Sequence, residues 1–496
     1  MNNLMNVQGL WQELLGMLPA VVVAITALVV MVLIALKRNH FIVATASVVG
    51  LNIALITMIA QIMGWSDIGT ASSVMFSFDG FAKVNGAVIL IAALACCSLA
   101  YGYFESLNDN KEELYLLVLI STLGALLMVA AQHLAAFFVS LELLSVPMYG
   151  LLAYAFAKQQ SLEAGLKYLI LSAAASATLL MGMALVYAGT GSMAFAKIQE
   201  VLSISQANMP LVITGGVLMM VAIAFKLSLA PFHAWVGDVY EGAPLPMTAF
   251  LASVAKVAVM AVAIRFLIVT GVPALVAVDG VLVWLIVLSV LAGNLLALRQ
   301  ENLKRLFAYS SIAHMGYVLI MLVSIGAAAD GLVSMYMAVY ALSGLGVFGV
   351  MTVLTGVYRD ESTPHHEASK IDDYRGLFWQ RPILTAVMTV MLLSMAGIPL
   401  TAGFITKFQV MFSAVQGGRF GLAVMLVVGS AIGLYYYLRL LLVLFKRPEQ
   451  SPNFAVQSNW AFKVDGIILV LITLIVLGLG VLPNGLFVLA GRAIIG

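Results

Sequence analysis

The sequence predicts an all-α integral membrane protein with about 14 transmembrane helices, and three observations support that prediction. Of its 496 residues, 63% are hydrophobic and only 9% are charged, whereas a typical soluble domain is about 25% charged. Apolar stretches long enough to cross a bilayer follow one another along the whole chain. Lys and Arg residues concentrate in alternate loops, as expected when a chain crosses the membrane repeatedly.

The apolar stretches give the predicted spans in chain order. They cover 11–36, 42–63, 84–103, 113–130, 133–156, 163–188, 210–228, 245–270, 280–298, 303–326, 332–358, 380–398, 420–445 and 465–490. Two shorter apolar pieces, 230–241 and 400–416, follow proline-containing breaks and are assigned to spans 7 and 12. The first stretch lacks the positive flank of a secretory signal and is interpreted as a retained span.

The loop charges predict the orientation of the chain. One set of loops contains Lys37, Arg38, Lys111, Lys158, Arg299, Lys304, Arg305, Arg359, Lys370, Arg375, Arg381, Lys446, Arg447 and Lys463. The other set contains only Lys83, Lys197, Arg419 and Arg492. Because positively charged loops stay in the cytoplasm, we expect a multi-pass protein with both termini outside, which for the inner membrane of a bacterium is the periplasm.

Two spans are predicted to be broken. Pro231 interrupts span 7, while Gly397 and Pro399 interrupt span 12. A proline removes a helical hydrogen bond, and the freed carbonyl is tolerated at membrane depth only beside protein or water. Breaks at matching places in two halves indicate inverted repeats.

The breaks lie five spans apart, which indicates two repeats of five helices, spans 4–8 and 9–13. An odd number of spans per repeat inverts the second repeat in the membrane. The predicted organisation is therefore 1–110 for spans 1–3, 111–270 for the first repeat, 271–447 for the second and 448–496 for span 14.

Ionisable residues within these spans are the candidate functional groups. They are Glu142, Lys167, Lys226, Lys256 and Lys407. A charge at the bilayer centre costs at least ~2.5–3.5 kcal/mol on insertion scales, so such residues usually mark an ion or proton route. Lysine suits proton exchange because burial shifts its protonation readily, whereas arginine stays charged. We therefore assign Arg265 and Arg439 to fixed structural pairs.

Other interpretations remain open for several residues. Lys167 lies four residues after Glu163 and could form an interfacial ion pair or reach the membrane surface instead. His233 and His314 lie in or beside spans and could relay protons, but a lone histidine in a helix bundle is more often simply hydrogen-bonded. We expect Asp238, Glu241 and Asp279, near span ends, to face water.

Other kinds of site find little support in the sequence. Cys96 and Cys97 are adjacent in an apolar helix and are interpreted as small buried hydrophobic residues, because neighbouring cysteines are poorly placed for a disulfide. His365 and His366 lack further ligands for a metal. The chain has no phosphate-binding glycine loop, which argues against direct ATP hydrolysis, and no basic or acidic tail that suggests nucleic acid.

Four segments resemble a known family. The runs SLELLSVPMYGLLAYA (140–155), AFKLSLAPFHAWVGDVYEGAP (224–244), NLLALRQENLKRLFAYSSIAHMGY (294–317) and AGIPLTAGFITKF (396–408) are similar to the antiporter-like subunits of respiratory complex I, the proton-translocating NADH–quinone oxidoreductase. The resemblance covers essentially the whole chain. It implies a proton channel with half-channels at the two broken helices, joined by a polar axis at mid-membrane.

The resemblance also implies roles and partners. The family has a Glu on span 5, a Lys on span 7, a Lys or His on span 8 and a Lys or Glu on span 12. These positions fall on Glu142, Lys226, Lys256 and Lys407, and Lys167 on span 6 also resembles a family position. This chain should hold no cofactor, since NADH, FMN, iron–sulfur clusters and quinone belong to other subunits. The implied partners are another antiporter-like subunit, small membrane subunits and membrane lipids.

Three functions compete at this point. The first is a proton-translocating subunit coupled to quinone reduction in other subunits. The second is a subunit of a related multisubunit cation/proton antiporter that has no redox partner. The third is a scaffold whose buried charges transport nothing.

Overall fold

The computed structural model describes residues 15–64, 71–105, 110–204, 206–272, 275–357, 367–447 and 463–496. Nearly all of this part of the chain is helical. The first half contains α1 (Leu18–Leu36), α2 (His40–Met63), α3 (Gly80–Glu105), α4 (Glu112–Ala130), α5 (Leu134–Leu152), α6 (Gln159–Thr190), α7 (Phe195–Ser203), α8 (Met209–Leu227), α9 (Val236–Gly242), α10 (Leu245–Phe250) and α11 (Lys256–Thr270). The second half contains α12 (Val276–Leu298), α13 (Leu303–Ile325), α14 (Asp330–Val357), α15 (Leu377–Gln380), α16 (Pro382–Ala396), α17 (Ala402–Gln416), α18 (Phe420–Phe445), α19 (Val464–Val481) and α20 (Asn484–Arg492).

These helices confirm the predicted membrane fold. By length and composition, the described residues contain 12 candidate membrane spans, one of which, Leu303–Thr355, combines two successive helices. The shorter apolar helix Pro382–Ala396 adds the first segment of the predicted span 12. The chain is thus an all-helical membrane protein with about 14 crossing helices.

Both predicted breaks are present, and span 8 contains a third irregularity. Residues 228–235 separate α8 from α9, and residues 397–401 separate α16 from α17. Between α10 and α11 the helix widens into one π-helical turn, Leu251–Ala255, directly before Lys256. Such π turns leave backbone groups irregularly paired and are frequent at functional sites.

Helix α8, which ends at the first break, packs unusually closely against α6. Gly182 of α6 lies against Gly215 of α8, so that a Cβ added at Gly182 would lie 2.7 Å from the Gly215 carbonyl oxygen. Small residues allow backbones to approach closely in membranes, where no hydrophobic force drives helices together. This contact holds α6 and α8 side by side, and both helices carry residues of the site described below.

The structure corrects some predicted details. The last span was predicted to run over 465–490, but α19 ends at Val481 and a separate helix, α20, follows. Pro483 explains the break, since proline cannot continue the hydrogen-bonded ladder. Lys83 lies within α3 and is only 8% exposed, so its assignment to a loop was wrong. A two-residue antiparallel pairing, Ala71–Ser72 with Ser77–Phe78, precedes α3.

The segment before α15 is tied to the start of α13. The Leu303 amide donates to the Ser369 carbonyl over 2.6 Å, and the fully buried ammonium of Lys304 lies 2.9 Å from the Glu367 carboxylate. Burial alone would raise the pKa of Glu367. Nearby Lys304 and Lys158, with a hydrogen bond from Tyr103, outweigh that effect and lower the pKa to about 2. Glu367 is therefore a charged tether between these segments.

Candidate functional site

The first break leaves backbone groups that other helices satisfy. α8 ends at Leu227, and Ser228 adopts a left-handed conformation with φ 63°. The Ala230 amide donates to Ser289 Oγ of α12 over 2.9 Å rather than to a carbonyl of its own helix. The indole of Trp235 donates to the Phe225 carbonyl over 3.2 Å. Other parts of the protein thus pair with polar groups at the break, as irregular backbone at membrane depth requires.

Lys226 lies in the last turn before this break. Its Nζ donates to Ser145 Oγ of α5 over 2.7 Å and to Ser172 Oγ of α6 over 2.6 Å. It also lies 5.8 Å from the ring centre of Tyr168. The residue is 7% exposed. Two hydroxyls and an aromatic face therefore surround a buried ammonium, which satisfies its donors without fixing it in an ion pair.

Glu142 reaches the same region through serine hydroxyls. Ser176 Oγ donates to Glu142 Oε1 over 2.5 Å, and Ser172, one turn earlier on α6, contacts Lys226. On α5, Ser145 lies three residues after Glu142 and so on the same helix face. Among the described residues, no ion pair within 4.0 Å joins Glu142 to Lys226. Hydroxyl groups, which both donate and accept, bridge the carboxylate and the ammonium.

Lys256 connects the first break to the second half of the chain. Its Nζ donates to the Leu227 carbonyl at the break over 3.4 Å and to Ser311 Oγ of α13 over 2.7 Å. The ring centre of Tyr240 lies 6.0 Å away. The side chain is 1% exposed. Lys256 therefore follows Lys226 directly along the path, because Leu227 is the next residue after Lys226.

His314 lies three residues after Ser311 on α13. Its two ring nitrogens contact the hydroxyls of Tyr336 at 2.7 Å and Tyr437 at 3.3 Å. His314 and Lys407 also line one small cavity of about 10 Å³. That space is about what one water molecule needs. The cavity links the histidine to the second break.

Lys407 closes the path at the second break. Its Nζ donates over 3.0 Å to the carbonyl of Ala396, the last residue of α16. The ring centre of Tyr317 lies 5.5 Å from the ammonium, and the residue is 9% exposed. Gly397 adopts φ 81°, and a Cβ there would lie 2.7 Å from Lys407 Cδ. The left-handed glycine ends the helix and leaves room for the lysine stem.

The two breaks share one arrangement that the sequence did not reveal. Counted from its proline, Lys226 precedes the first break whereas Lys407 follows the second. In the structure, the carbonyl of the last helical residue before each break accepts from a lysine ammonium. Leu227 accepts from Lys256 at the first break, and Ala396 accepts from Lys407 at the second. Lys256, rather than Lys226, is thus the counterpart of Lys407.

Two candidate residues lie away from this path. Lys167 is 40% exposed at its side chain and pairs with Asp238 and Glu163, each at 2.7 Å. Asp238 and Glu241 in turn contact Arg305 at 2.9 and 2.8 Å. His233 lies half-buried in the first break, with no hydrogen bond to a lysine among the described residues.

Other predicted residues occupy structural positions. Arg265 forms a buried pair with Asp79, with both nitrogen–oxygen distances at 2.7 Å. Arg439 donates instead to two carbonyls, those of Leu298 and Gln300. Asp279 pairs with Arg419 at 2.9 Å rather than facing only water.

The remaining candidates lie outside the path. Cys96 and Cys97 are buried free thiols. His365 and His366 lie outside the described residues.

The polar groups that join the charges were not predicted from the sequence. They are Ser145, Ser172, Ser176, Ser311, Tyr168, Tyr240, Tyr317 and Tyr336. A signal for part of this set was present, since Ser145, Ser172 and Ser176 lie three or four residues apart from one another or from Glu142 on otherwise apolar helices. Contacts between distant spans, such as Lys256 with Ser311, left no local signal.

Comparisons with known proteins agree with this architecture. A family described as NADH:quinone oxidoreductase/Mrp antiporter matches residues 131–433. The chain is 55% identical to NADH-quinone oxidoreductase subunit N of Psychrobacter arcticus over 97% of its length and 98% of that protein. It is 48% identical to subunit N of Acinetobacter baumannii, covering 99% of this chain and 97% of that one.

A solved structure shows the same fold. A chain of respiratory complex I from Thermus thermophilus, solved with bound aureothin, superposes with a TM-score of 0.80 at 32% identity, covering 94% of this chain and 97% of that chain. Family match, sequence identity over nearly the full length and shared fold lead to one conclusion. The chain belongs to the subunit N family of NADH-quinone oxidoreductase, the antiporter-like membrane subunits of complex I.

Proposed function

We propose that this chain translocates protons across the bacterial inner membrane as a membrane-arm subunit of NADH–quinone oxidoreductase. The proposed path runs from Glu142 through Lys226 and Lys256 to Lys407, with His314 between the last two. Quinone reduction, and the NADH, FMN and iron–sulfur sites, would belong to other subunits. Another antiporter-like subunit, small membrane subunits and lipids would surround the chain.

The observation that carries this proposal is a set of buried ammonium groups held by neutral partners. Among the described residues, Lys226, Lys256 and Lys407 contact hydroxyls or carbonyls and no carboxylate within 4.0 Å. A permanent ion pair would fix the charge on both partners. Lysines held by neutral groups can instead exchange protons when a neighbour moves, which a relay requires.

The path also reaches both broken helices, as a relay between two half-channels requires. Its links are hydroxyls, carbonyls, an imidazole and a cavity that fits about one water molecule. We further propose that 111–270 and 271–447 act as two inverted units and that both chain termini lie in the periplasm. The uneven distribution of loop lysines and arginines supports this orientation.

A scaffold function makes a different prediction. Burying several charges without carboxylate partners is costly, and a scaffold has no reason to retain them. If Glu142→Gln and Lys226→Gln assemble normally, the proposed relay predicts that both lower proton pumping per NADH oxidised. Unchanged pumping by both variants in the fully assembled enzyme would contradict the relay and support the scaffold.

An antiporter differs from the proposed proton translocase in the ions that it exchanges and in the reaction that drives it. The matched family description includes Mrp antiporters, so the shared fold alone does not distinguish the two. Proton uptake into inverted membrane vesicles that depends on NADH and quinone, and not on a sodium gradient, is the expected result. Sodium–proton exchange in the absence of NADH would support the antiporter instead.

A further inference from the structure

An open cavity lies beside the site without belonging to the path. It has a volume of about 180 Å³ and lies between the start of α6 and the short helix α9. Its lining includes Gln160, Ala164, Lys167, Asp238 and Glu241. Charged and amide groups dominate this lining, and the volume suffices for several water molecules. The cavity is therefore a space through which bulk water can approach the first break.

One row of α6 side chains leads from this cavity to the buried charges of Lys226 and Glu142. Gln160 and Ala164 line the cavity, Tyr168 covers the Lys226 ammonium, Ser172 accepts from that ammonium and Ser176 donates to Glu142. These five positions follow at intervals of four residues, so they form one ridge that winds slowly around α6, and each step advances about 6 Å along the axis. Tyr168 lies between the end of this row that lines the cavity and the end that contacts the buried charges.

An aromatic layer closes the route at Tyr168. The rings of Tyr168 and Trp235 lie 5.1 Å apart, and each residue is 3% exposed. Trp235 also contacts Phe225 at 5.3 Å, while Tyr168 contacts Tyr149 at 5.7 Å. Hydrophobic constrictions of this kind stop water and ions by dewetting.

Two charged residues of the cavity lie close in sequence to the same two aromatic residues. Lys167 precedes Tyr168 directly, and Asp238 lies one helical turn after Trp235. The 2.7 Å ion pair between Lys167 and Asp238 therefore joins the two backbone segments that carry the aromatic rings. Arg305 of α13 holds the other oxygen of Asp238 at 2.9 Å. The position of the rings is coupled to charges that face water.

We propose that Tyr168 and Trp235 form the barrier that separates Lys226 from the water of the open cavity, and that they control proton access to Lys226 from that side. Their role in proton access rests on the proposed function, whereas the barrier to water is a property of the fold. Neither residue exchanges protons in this account. They are positioning residues that determine when water reaches the buried lysine.

The test measures whether a small, charged methanethiosulfonate reagent reaches cysteines placed on either side of the barrier in the detergent-solubilised complex. Gln160→Cys lies on the cavity side, and Ser172→Cys lies on the Lys226 side. Each position is combined with Trp235→Ala or with the control Trp284→Ala, which removes the same side chain from a position that is 68% exposed on α12. Modification is read at each residue by mass spectrometry, with buried Cys96 and Cys97 as internal references.

The proposal predicts three results together. The cysteine at 160 reacts in every background, and the cysteine at 172 is protected when Trp235 is present. Trp235→Ala raises the rate at position 172 by about tenfold or more, because a dewetted constriction is removed, while Trp284→Ala leaves it unchanged. Ser145→Cys, on α5 at the same ammonium, is a second inner probe if substitution of Ser172 disturbs the fold.

The opposite results would contradict the proposed barrier. A cysteine at 160 that does not react would show that the cavity is closed to water in the complex. Fast reaction at 172 and 145 with Trp235 intact would show that no barrier exists. If the barrier results hold but Lys226→Gln leaves proton pumping intact, the barrier to water stands and the proposed function fails, so the two failures are distinguishable.

Discussion

The ammonium of Lys407 donates over 3.0 Å to the carbonyl of Ala396, the residue at which the helix of span 12 stops. Lys256 makes the equivalent contact with Leu227 at the break in span 7. A carbonyl freed at membrane depth needs a donor, and a buried ammonium needs an acceptor. Each break therefore places a lysine at the point where the backbone is irregular.

This arrangement predicts that Gly397→Ala disturbs Lys407 specifically. The new Cβ would lie 2.7 Å from Lys407 Cδ at a φ of 81°, so the lysine stem has to move away from Ala396. We expect lower proton pumping by the assembled enzyme, and about 1–2 kcal/mol lower stability from the left-handed backbone.

The control for this effect is Gly191→Ala. Gly191 has φ 71° and no neighbouring atom within 4 Å of an added Cβ, so it reproduces the backbone strain without the contact. The two variants should lose similar thermal stability, while only Gly397→Ala loses pumping. Equal pumping by both variants would show that the position of Lys407 does not matter.

A second prediction separates charge from proton exchange at Lys226. Lys226→Arg keeps a positive charge beside Ser145 and Ser172, but arginine does not release its proton in a protein. We expect normal assembly and at least about tenfold less NADH-driven proton uptake in vesicles, because the relay step is lost. The matched control is Lys197→Arg on the exposed face of α7, which should pump normally. Full pumping by Lys226→Arg would mean that only its charge is needed.

A third prediction concerns the hydroxyls that hold Lys226. The double variant Ser145→Ala/Ser172→Ala removes both side-chain acceptors of its Nζ. Leaving a buried polar group without a partner costs about 1–3 kcal/mol, so both thermal stability and pumping should fall. Ser47→Ala is the control, since Ser47 is equally buried but donates only to the Val43 carbonyl of its own helix. An effect no larger than that of Ser47→Ala would exclude the serines from the path.

A fourth prediction follows from the lowered pKa of Glu367. In the folded state this pKa is about 2, compared with an ordinary value of 4.5. A carboxyl with a lowered folded pKa stabilises the fold above its unfolded pKa, and that contribution is lost as the pH falls through the folded value. The stabilisation should therefore be complete above about pH 4.5 and disappear towards pH 2.

The variant that tests this tether is Glu367→Gln. It leaves the fully buried Lys304 without its 2.9 Å carboxylate, and removing one partner of a buried pair costs about 3–5 kcal/mol. We expect a lower melting temperature at neutral pH and a weaker loss of stability on acidification. Asp372→Asn, exposed in the same segment, should change neither. A melting temperature of Glu367→Gln equal to that of the unaltered protein would contradict the tether.

The sequence was sufficient for the spans and for both breaks, because these depend on local properties. Apolar runs of about 20 residues cross a bilayer, and Pro231 and Pro399 each lie in one of the two breaks, where proline cannot continue the helical hydrogen bonds. The prediction for residues 420–445 matches α18, Phe420–Phe445, at both ends. The last span was predicted too long because hydropathy continues past Pro483 even though the helix does not.

Side-chain partners could not be predicted in the same way. The choice of Asp238 as a partner of Lys167 depends on how α9 packs against α6, 71 residues away in sequence. The contact of Lys256 with Ser311 likewise joins two spans from different halves of the chain. Such contacts are set by tertiary packing, and a single sequence carries no local pattern for them.

The most direct test of a continuous path is Lys256→Met in the assembled enzyme. Lys256 is the link between Leu227 at the first break and Ser311, which leads towards the second. The measurement is the number of protons pumped per NADH oxidised, with Lys197→Met as the control. A continuous path predicts at least about tenfold less pumping for Lys256→Met and no change for the control. Unchanged pumping by a fully assembled Lys256→Met enzyme would contradict it.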